Sequence, residues 1–336
     1  MKSFYSTLVL ALGATLITSV AFGQGASDRK SAVESQASRL SELFRDGTQQ
    51  KGGGVADVVS SDVGLQQLVE ERETGIAVDA GATTTYMYRS NPLSTNGEFA
   101  KHVKSPLVDA TGFVSLSLGG HDFLGGVFIP RIGLSYYELE HGKTELRVAD
   151  FNSTKVSLLG DLKYPNGWSI TPSIEYSNII SSLMDTEDYR EYYPNVAVSK
   201  VWSLDNKSAI RAIFNTGYHF SRVEELGAAI PGGTKDRLDN WTNSLGLAYS
   251  RYLLSRLQFI GYGDISPKLY GNGSNKSRVD WARSIGSSLT YTVIGRKWVS
   301  WRLSIFGNYV NRQSSNVVYK YTNLDLGVST GVSLSF

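Results

Sequence analysis

The chain has 336 residues, with 33 Lys and Arg against 31 Asp and Glu, and no cysteine. A net charge of +2 gives no electrostatic reason to expect nucleic acid as a partner, and a chain without cysteine forms neither disulfides nor thiolate metal sites. With 34 Gly and 19 Tyr but only 41% apolar residues, the composition suits many strands that each carry one polar face. No HExxH and no P-loop occurs, so no metal and no cofactor is expected.

Residues 1–23 read as a signal peptide. Lys2 supplies the positive start, Leu8 to Val20 the apolar core, and Ala21-Phe22-Gly23 the small residues before a cut near Gln24. The apolar core is too short for an anchor helix, and no later stretch reaches the length a spanning helix needs. Residues 24–73 form a different region. Val33, Ala37, Leu40 and Phe44 share one helical stripe, and Lys51-Gly52-Gly53-Gly54 ends it as a hinge. A second, weaker helical stretch follows from Val63 to Arg72. The expectation is a periplasmic helical extension and linker, with residues 27–73 available to a periplasmic partner or to the lumen of whatever follows.

From residue 74 to residue 336 the period is two. Counting back from Phe336, the even positions are Leu334, Val332, Thr330, Val328, Leu326 and Leu324, and the odd ones are Ser, Gly, Asp or Asn. One strand face is apolar and the other polar or small. A soluble sandwich and a lipid-embedded barrel both allow that alternation, and length separates them. Soluble strands average about five or six residues, whereas these runs last about 10–16, the length of a tilted strand crossing lipid.

About twelve such runs are expected, near 75–89, 109–119, 126–140, 151–164, 168–181, 190–203, 208–223, 238–254, 256–271, 278–294, 298–313 and 319–336. Short links such as Tyr164-Pro165-Asn166-Gly167 and Leu204-Asp205-Asn206 alternate with long polar ones near 90–108, 141–150, 182–189, 224–237 and 271–278. Short periplasmic turns and longer outer loops alternate in this way around a transmembrane antiparallel up-and-down β-barrel. Trp168, Trp202 and Trp298 fall at the short-turn ends, and Tyr86, Tyr88, Tyr136, Tyr192, Tyr270, Tyr309 and Tyr319 toward the long-loop ends, as two aromatic belts would. Pro130, Pro172, Pro194 and Pro267 run against the pattern, since each removes a ladder donor inside a run. Arg283 also falls on an outward face, which suits only the outer rim.

The export signal, the long alternating runs and the ending GVSLSF together resemble a Gram-negative outer-membrane β-barrel protein. Val332, Leu334 and Phe336 resemble the C-terminal signal read by the outer-membrane barrel assembly machinery. The resemblance implies residence in outer-membrane lipid and that machinery as a partner. No particular barrel family is indicated.

The inward positions carry both signs. The acidic candidates for pore lining are Asp79, Asp161, Glu175, Asp264, Asp280 and Asp325. The basic ones are Arg131, Lys155, Lys163, Arg211, Lys268 and Arg302, joined by His219. Overall balance argues against strong ion selectivity unless the charges segregate along the axis. The leading expectation is a passive pore or transporter for small solutes without enzymatic activity. The alternatives are a structural or interaction barrel with an occluded lumen, a lipid hydrolase built around His219 and Ser221, and an autotransporter-type translocator. Residues 27–73 leave the last of these no room for a passenger.

Overall fold

A computed structural model describes residues 75–92, 104–181, 186–223, 238–296 and 298–336. The expectations for residues 1–74, the signal peptide and the helical extension, lie outside these described residues.

The period-two segments form thirteen strands of one antiparallel sheet. They are β1 (Ala77–Arg89), β2 (Ser105–Ser117), β3 (His121–Phe123), β4 (Gly126–His141), β5 (Phe151–Lys163), β6 (Trp168–Ser181) and β7 (Thr186–Asp205). The series continues with β8 (Ser208–Val223), β9 (Asn240–Leu254), β10 (Leu257–Tyr270), β11 (Val279–Arg296), β12 (Val299–Ser314) and β13 (Tyr321–Ser335). Each long strand pairs with its sequence neighbours. β1 pairs with β13 from Asp79↔Ser335 to Arg89↔Asp325, and β2 pairs with β4 from Leu107↔His141 to Ser117↔Arg131. The sheet therefore closes on itself as a barrel of twelve long strands, which removes the edges that lipid cannot hydrate.

The three-residue β3 pairs only with β4, where it continues the line of β2. Two features explain the break between β2 and β3. Pro130 has no N–H to return the bond that its carbonyl accepts from Leu118 at 3.0 Å. Gly119, at φ 85°, then takes up the extra residue as a bulge.

The other prolines follow the same rule. Pro172 is skipped in the ladder to β5 but paired to Val196 of β7. Pro194 is skipped toward β8 and paired to Ile174, and Pro267 is skipped toward β9 and paired to Trp281. Along an antiparallel strand successive N–H groups point to alternate neighbours, so a proline opens one ladder and leaves the other whole. All four occupy lipid-side positions, which leaves the inner face undisturbed.

The strand ends differ from the expected ones where the alternation fades. β2 begins at Ser105 rather than near 109, and β7 runs from Thr186 to Asp205 rather than 190–203. In β2 the extension Ser105-Pro106-Leu107-Val108 places an apolar residue on each face, and in β7 the extensions 186–189 and 204–205 lie at the two strand ends, so period two carries little signal there.

Burial is inverted relative to a soluble protein. Leu134, Leu158, Ile174, Phe214, Leu245, Ile285, Ile305 and Val328 lie exposed on the outer face, while Ser115, Ser157, Ser199, Ser288, Ser304 and Ser329 are buried inside. Water alone would not favour such a surface; a hydrocarbon surround does. Trp168, Trp202 and Trp298 are exposed near the short turns, and Tyr86, Tyr88, Tyr192 and Tyr309 are exposed nearer the long connections. Two tyrosines placed in that belt by the sequence are not in it. Tyr270 and Tyr319 are buried: Tyr270 shares the inward parity of Asp264 and Lys268, and the Arg278 guanidinium lies 3.8 Å and 3.7 Å from the two ring centroids.

The barrel lumen as candidate functional site

The alternation that exposes one face of each strand turns the other inward. Asp79, Arg131, Lys155, Asp161, Lys163, Glu175, Arg211, His219, Asp264, Lys268, Asp280, Arg302 and Asp325 all occupy positions of that inner face. The structure brings several of them together across neighbouring strands. Arg131 Nε lies 3.1 Å from Asp161, which also accepts a bond from Thr171 at 2.9 Å. Lys155 meets Glu175 at 2.9 Å, Asp79 accepts from Ser335, and Asp264 accepts from Ser284.

Accessibility changes along the axis. The Lys155 and Glu175 side chains, midway along their strands, remain 33% and 24% exposed. Arg89 and Asp325, toward the long-connection end, are 2% and 0% exposed. At that level nine apolar side chains form one buried cluster: Met87, Leu107, Leu139, Phe151, Ile179, Tyr189, Leu238, Tyr270 and Phe306. They come from β1, β2, β4, β5, β6, β7, the residues just before β9, β10 and β12. Contributions from so many strands make this a layer across the bore and not a patch on one wall. Inward aromatics lie flat where the facing strand offers glycine. A Cβ on Gly327 would come within 2.7 Å of the Phe306 ring and of Met87.

Charged groups are interleaved with this dry layer, and each is partnered as burial requires. Arg89 Nε donates to Asp325 at 2.9 Å. Asp280 lies 3.0 Å from Arg278 and also accepts from Arg312. Glu191 gathers Tyr189 Oη at 2.5 Å and His219 Nδ1 at 3.0 Å, and His219 stacks on Tyr193 at 3.8 Å between centroids. His141, expected in an outer loop, is instead the last residue of β4; it is buried, with its backbone N–H and Nδ1 both directed at Asp150. Ser221 donates to Asp239 through its backbone at 2.8 Å and through its hydroxyl at 3.5 Å. No contact between Ser221 and His219 is formed, and both face the lumen and not lipid, so this pair is not arranged as a nucleophile and base at the lipid surface.

Sequence reasoning missed Arg89, Asp109, Glu191, Arg278 and Arg312. Arg89, Asp109, Glu191 and Arg312 obey the same parity as the residues it found. Arg89, Glu191 and Arg312 sit on strand ends with polar residues among their outward neighbours, so the two faces there are hard to tell apart, whereas Asp109 lies where Leu107, an apolar residue, shares the inner face.

The chain matches no protein-family model and no curated protein. Among solved structures it is similar to an outer membrane channel from Pseudomonas putida, at 10% identity and a TM-score of 0.54, covering 81% of this chain and 100% of that one. It also matches the translocator domain of an autotransporter from Neisseria meningitidis, at 12% identity and a TM-score of 0.46, covering 91% and 97%. The NanC porin matches at 14% identity and a TM-score of 0.40, covering 75% and 98%. The protein is an outer-membrane-type β-barrel. At these identities the likeness is one of fold.

Proposed function

We propose that the protein is exported to the outer membrane and serves there as a passive channel for small polar solutes, closed near its outer end in the conformation described. The orientation follows from the connections, with short turns on the periplasmic side and long ones outside. The observation that carries the reading is the change in lumen accessibility between the Lys155–Glu175 pair and the Arg89–Asp325 pair. A polar bore with accessible charge at Lys155 and Glu175 that meets an apolar layer toward its outer end has the form of a pore with a hydrophobic constriction, which blocks ions by excluding water. The accessible Lys155–Glu175 pair supports a bore that is open at that level, although Arg131, on the periplasmic side, is packed as closely as Arg89.

The same layer favours a second reading, an interaction barrel whose lumen never opens. Conductance in planar bilayers separates the two. Wild-type protein is expected to conduct in brief or small events, and Phe151→Ser and Leu139→Ser, which put hydroxyls into the dry layer, are expected to raise conductance and lengthen openings. No conductance from folded wild-type protein and from both folded variants would leave the interaction barrel as the account.

A further inference from the structure

Overall charge is nearly balanced, but the lumen charges are not evenly placed. On the periplasmic side of Asp264, the lumen face of β7 through β13 carries Arg211 and Arg302 and, among the described residues, no carboxylate. The rest of that wall includes the hydroxyls of Ser199, Ser288, Thr290 and Ser304, buried between their neighbours, and the apolar Ile260. Arg211 Nη2 reaches Ser199 Oγ at 3.5 Å, and Thr290 and Ser304 bond to each other at 2.8 Å. The carboxylates of the periplasmic half lie on β1, β5 and β6, Asp79 directly beside β13, and each has a partner. Asp161 faces Arg131, Glu175 faces Lys155, and Asp79 accepts from Ser335. Lys163, at the end of β5, adds a further cation to that half. Asp122 and Asp205 are exposed at the short turns, outside the bore.

From this placement we infer that the periplasmic half of the lumen is an anion path, and that the solutes the channel favours are small anions such as carboxylates or phosphates. The inference rests on the channel reading. Arginine stays charged at any physiological pH. The buried hydroxyls around the two arginines add no competing negative charge. A bore walled by protein and lipid focuses the field of a few fixed charges that bulk water would screen.

The test is the reversal potential across a KCl gradient, measured for wild type, for Phe151→Ser as a more open background, and for Arg211→Glu/Arg302→Glu in each. Chloride is expected to be favoured over potassium by roughly threefold or more in wild type, and the double substitution is expected to bring the ratio to unity or below. Should the Glu pair fail to fold, as judged by heat-modifiable migration, Arg211→Gln/Arg302→Gln replaces it, with a ratio expected to fall toward unity. A conducting wild type without anion preference, or a preference unchanged in the folded double variant, overturns the anion path and leaves the channel standing. No conductance in wild type and in Phe151→Ser overturns both.

Discussion

The backbone of Phe336 exchanges two hydrogen bonds with that of Val78: the Val78 N–H donates to Phe336 at 3.0 Å, and the Phe336 N–H donates to Val78 at 2.9 Å. Phe336 therefore does more than extend the apolar face of β13. It adds one more pair to the seam where β1 meets β13 and the barrel closes, while its ring, 72% exposed, points outward.

Those two roles are separable. Phe336→Ala keeps both backbone bonds and removes the ring, whereas deleting Phe336 removes both. If the ring is what assembly factors read, both variants should slow membrane assembly alike in cells. In purified lipid vesicles only the deletion should slow barrel closure, measured by the appearance of the heat-modifiable band. Equal wild-type rates in cells for Phe336→Ala would remove the ring from the assembly signal.

Asp280 is the shared partner of Arg278 and Arg312, and both Asp280 and Arg312 are almost wholly buried. Replacing it by Ala leaves two guanidiniums in a dry layer without their counter-ion, a change that costs about 3–5 kcal/mol when a buried pair is broken. Lys155→Ala breaks a pair of similar length in the wetted part of the bore and should cost less than about 1 kcal/mol. Urea unfolding of the refolded protein in lipid vesicles measures both. Similar losses for the two would mean that the lumen is equally wet at both levels.

The same contrast explains what the sequence made legible. Period two is a consequence of strand geometry, so the inner face could be read residue by residue from Asp79 to Asp325 without knowing the closure. The prolines could not be interpreted that way. Whether Pro172 damages the sheet depends on which neighbour its missing N–H would have faced, and register decides that. The dry layer was invisible for a similar reason. Leu107, Leu139, Phe151 and Ile179 lie far apart in the chain, and each alone looks like an irregularity at the end of a polar face. Only closure of the barrel brings them to one level. Tyr270 and Tyr319 failed in the opposite direction, since tyrosine near a strand end suits a lipid belt. Yet Tyr270 follows the inward parity of Asp264 and Lys268, and Tyr319, outside the long strands, is buried against Arg278, a contact that only the fold reveals.

Glycine content, high in the composition, acquires specific meaning in the dry layer. A Cβ at Gly327 would meet the Phe306 ring, Met87 Cβ and the Tyr86 carbonyl, all at 2.7 Å. At Gly246, also on the inner face, the nearest atom would be 3.8 Å away. Gly327→Ala should therefore destabilise the barrel by about 1–3 kcal/mol through overpacking, and Gly246→Ala should be close to neutral. Since the Gly327 change also displaces Phe306, it should alter conductance where Gly246→Ala does not. A neutral Gly327→Ala would mean that the layer is loosely packed.

The gap opposite Pro267 is filled by a neighbour. Gly271 N–H donates to the Asp239 carbonyl at 3.0 Å, and pairs two residues apart share that bonding pattern in an antiparallel ladder. Position 267 would thus donate to the carbonyl of Asn243 if it had an N–H. The Ser266 hydroxyl takes that place, donating to the Asn243 carbonyl at 3.2 Å. Ser266→Ala in wild type should then cost about 1 kcal/mol, because the carbonyl loses its donor away from bulk water. In a Pro267→Ala background the backbone N–H is restored, and the same Ser266→Ala change should cost much less. A double-mutant cycle read by urea unfolding isolates this coupling. An equal cost of Ser266→Ala in both backgrounds would show that the hydroxyl does not stand in for the missing proline donor.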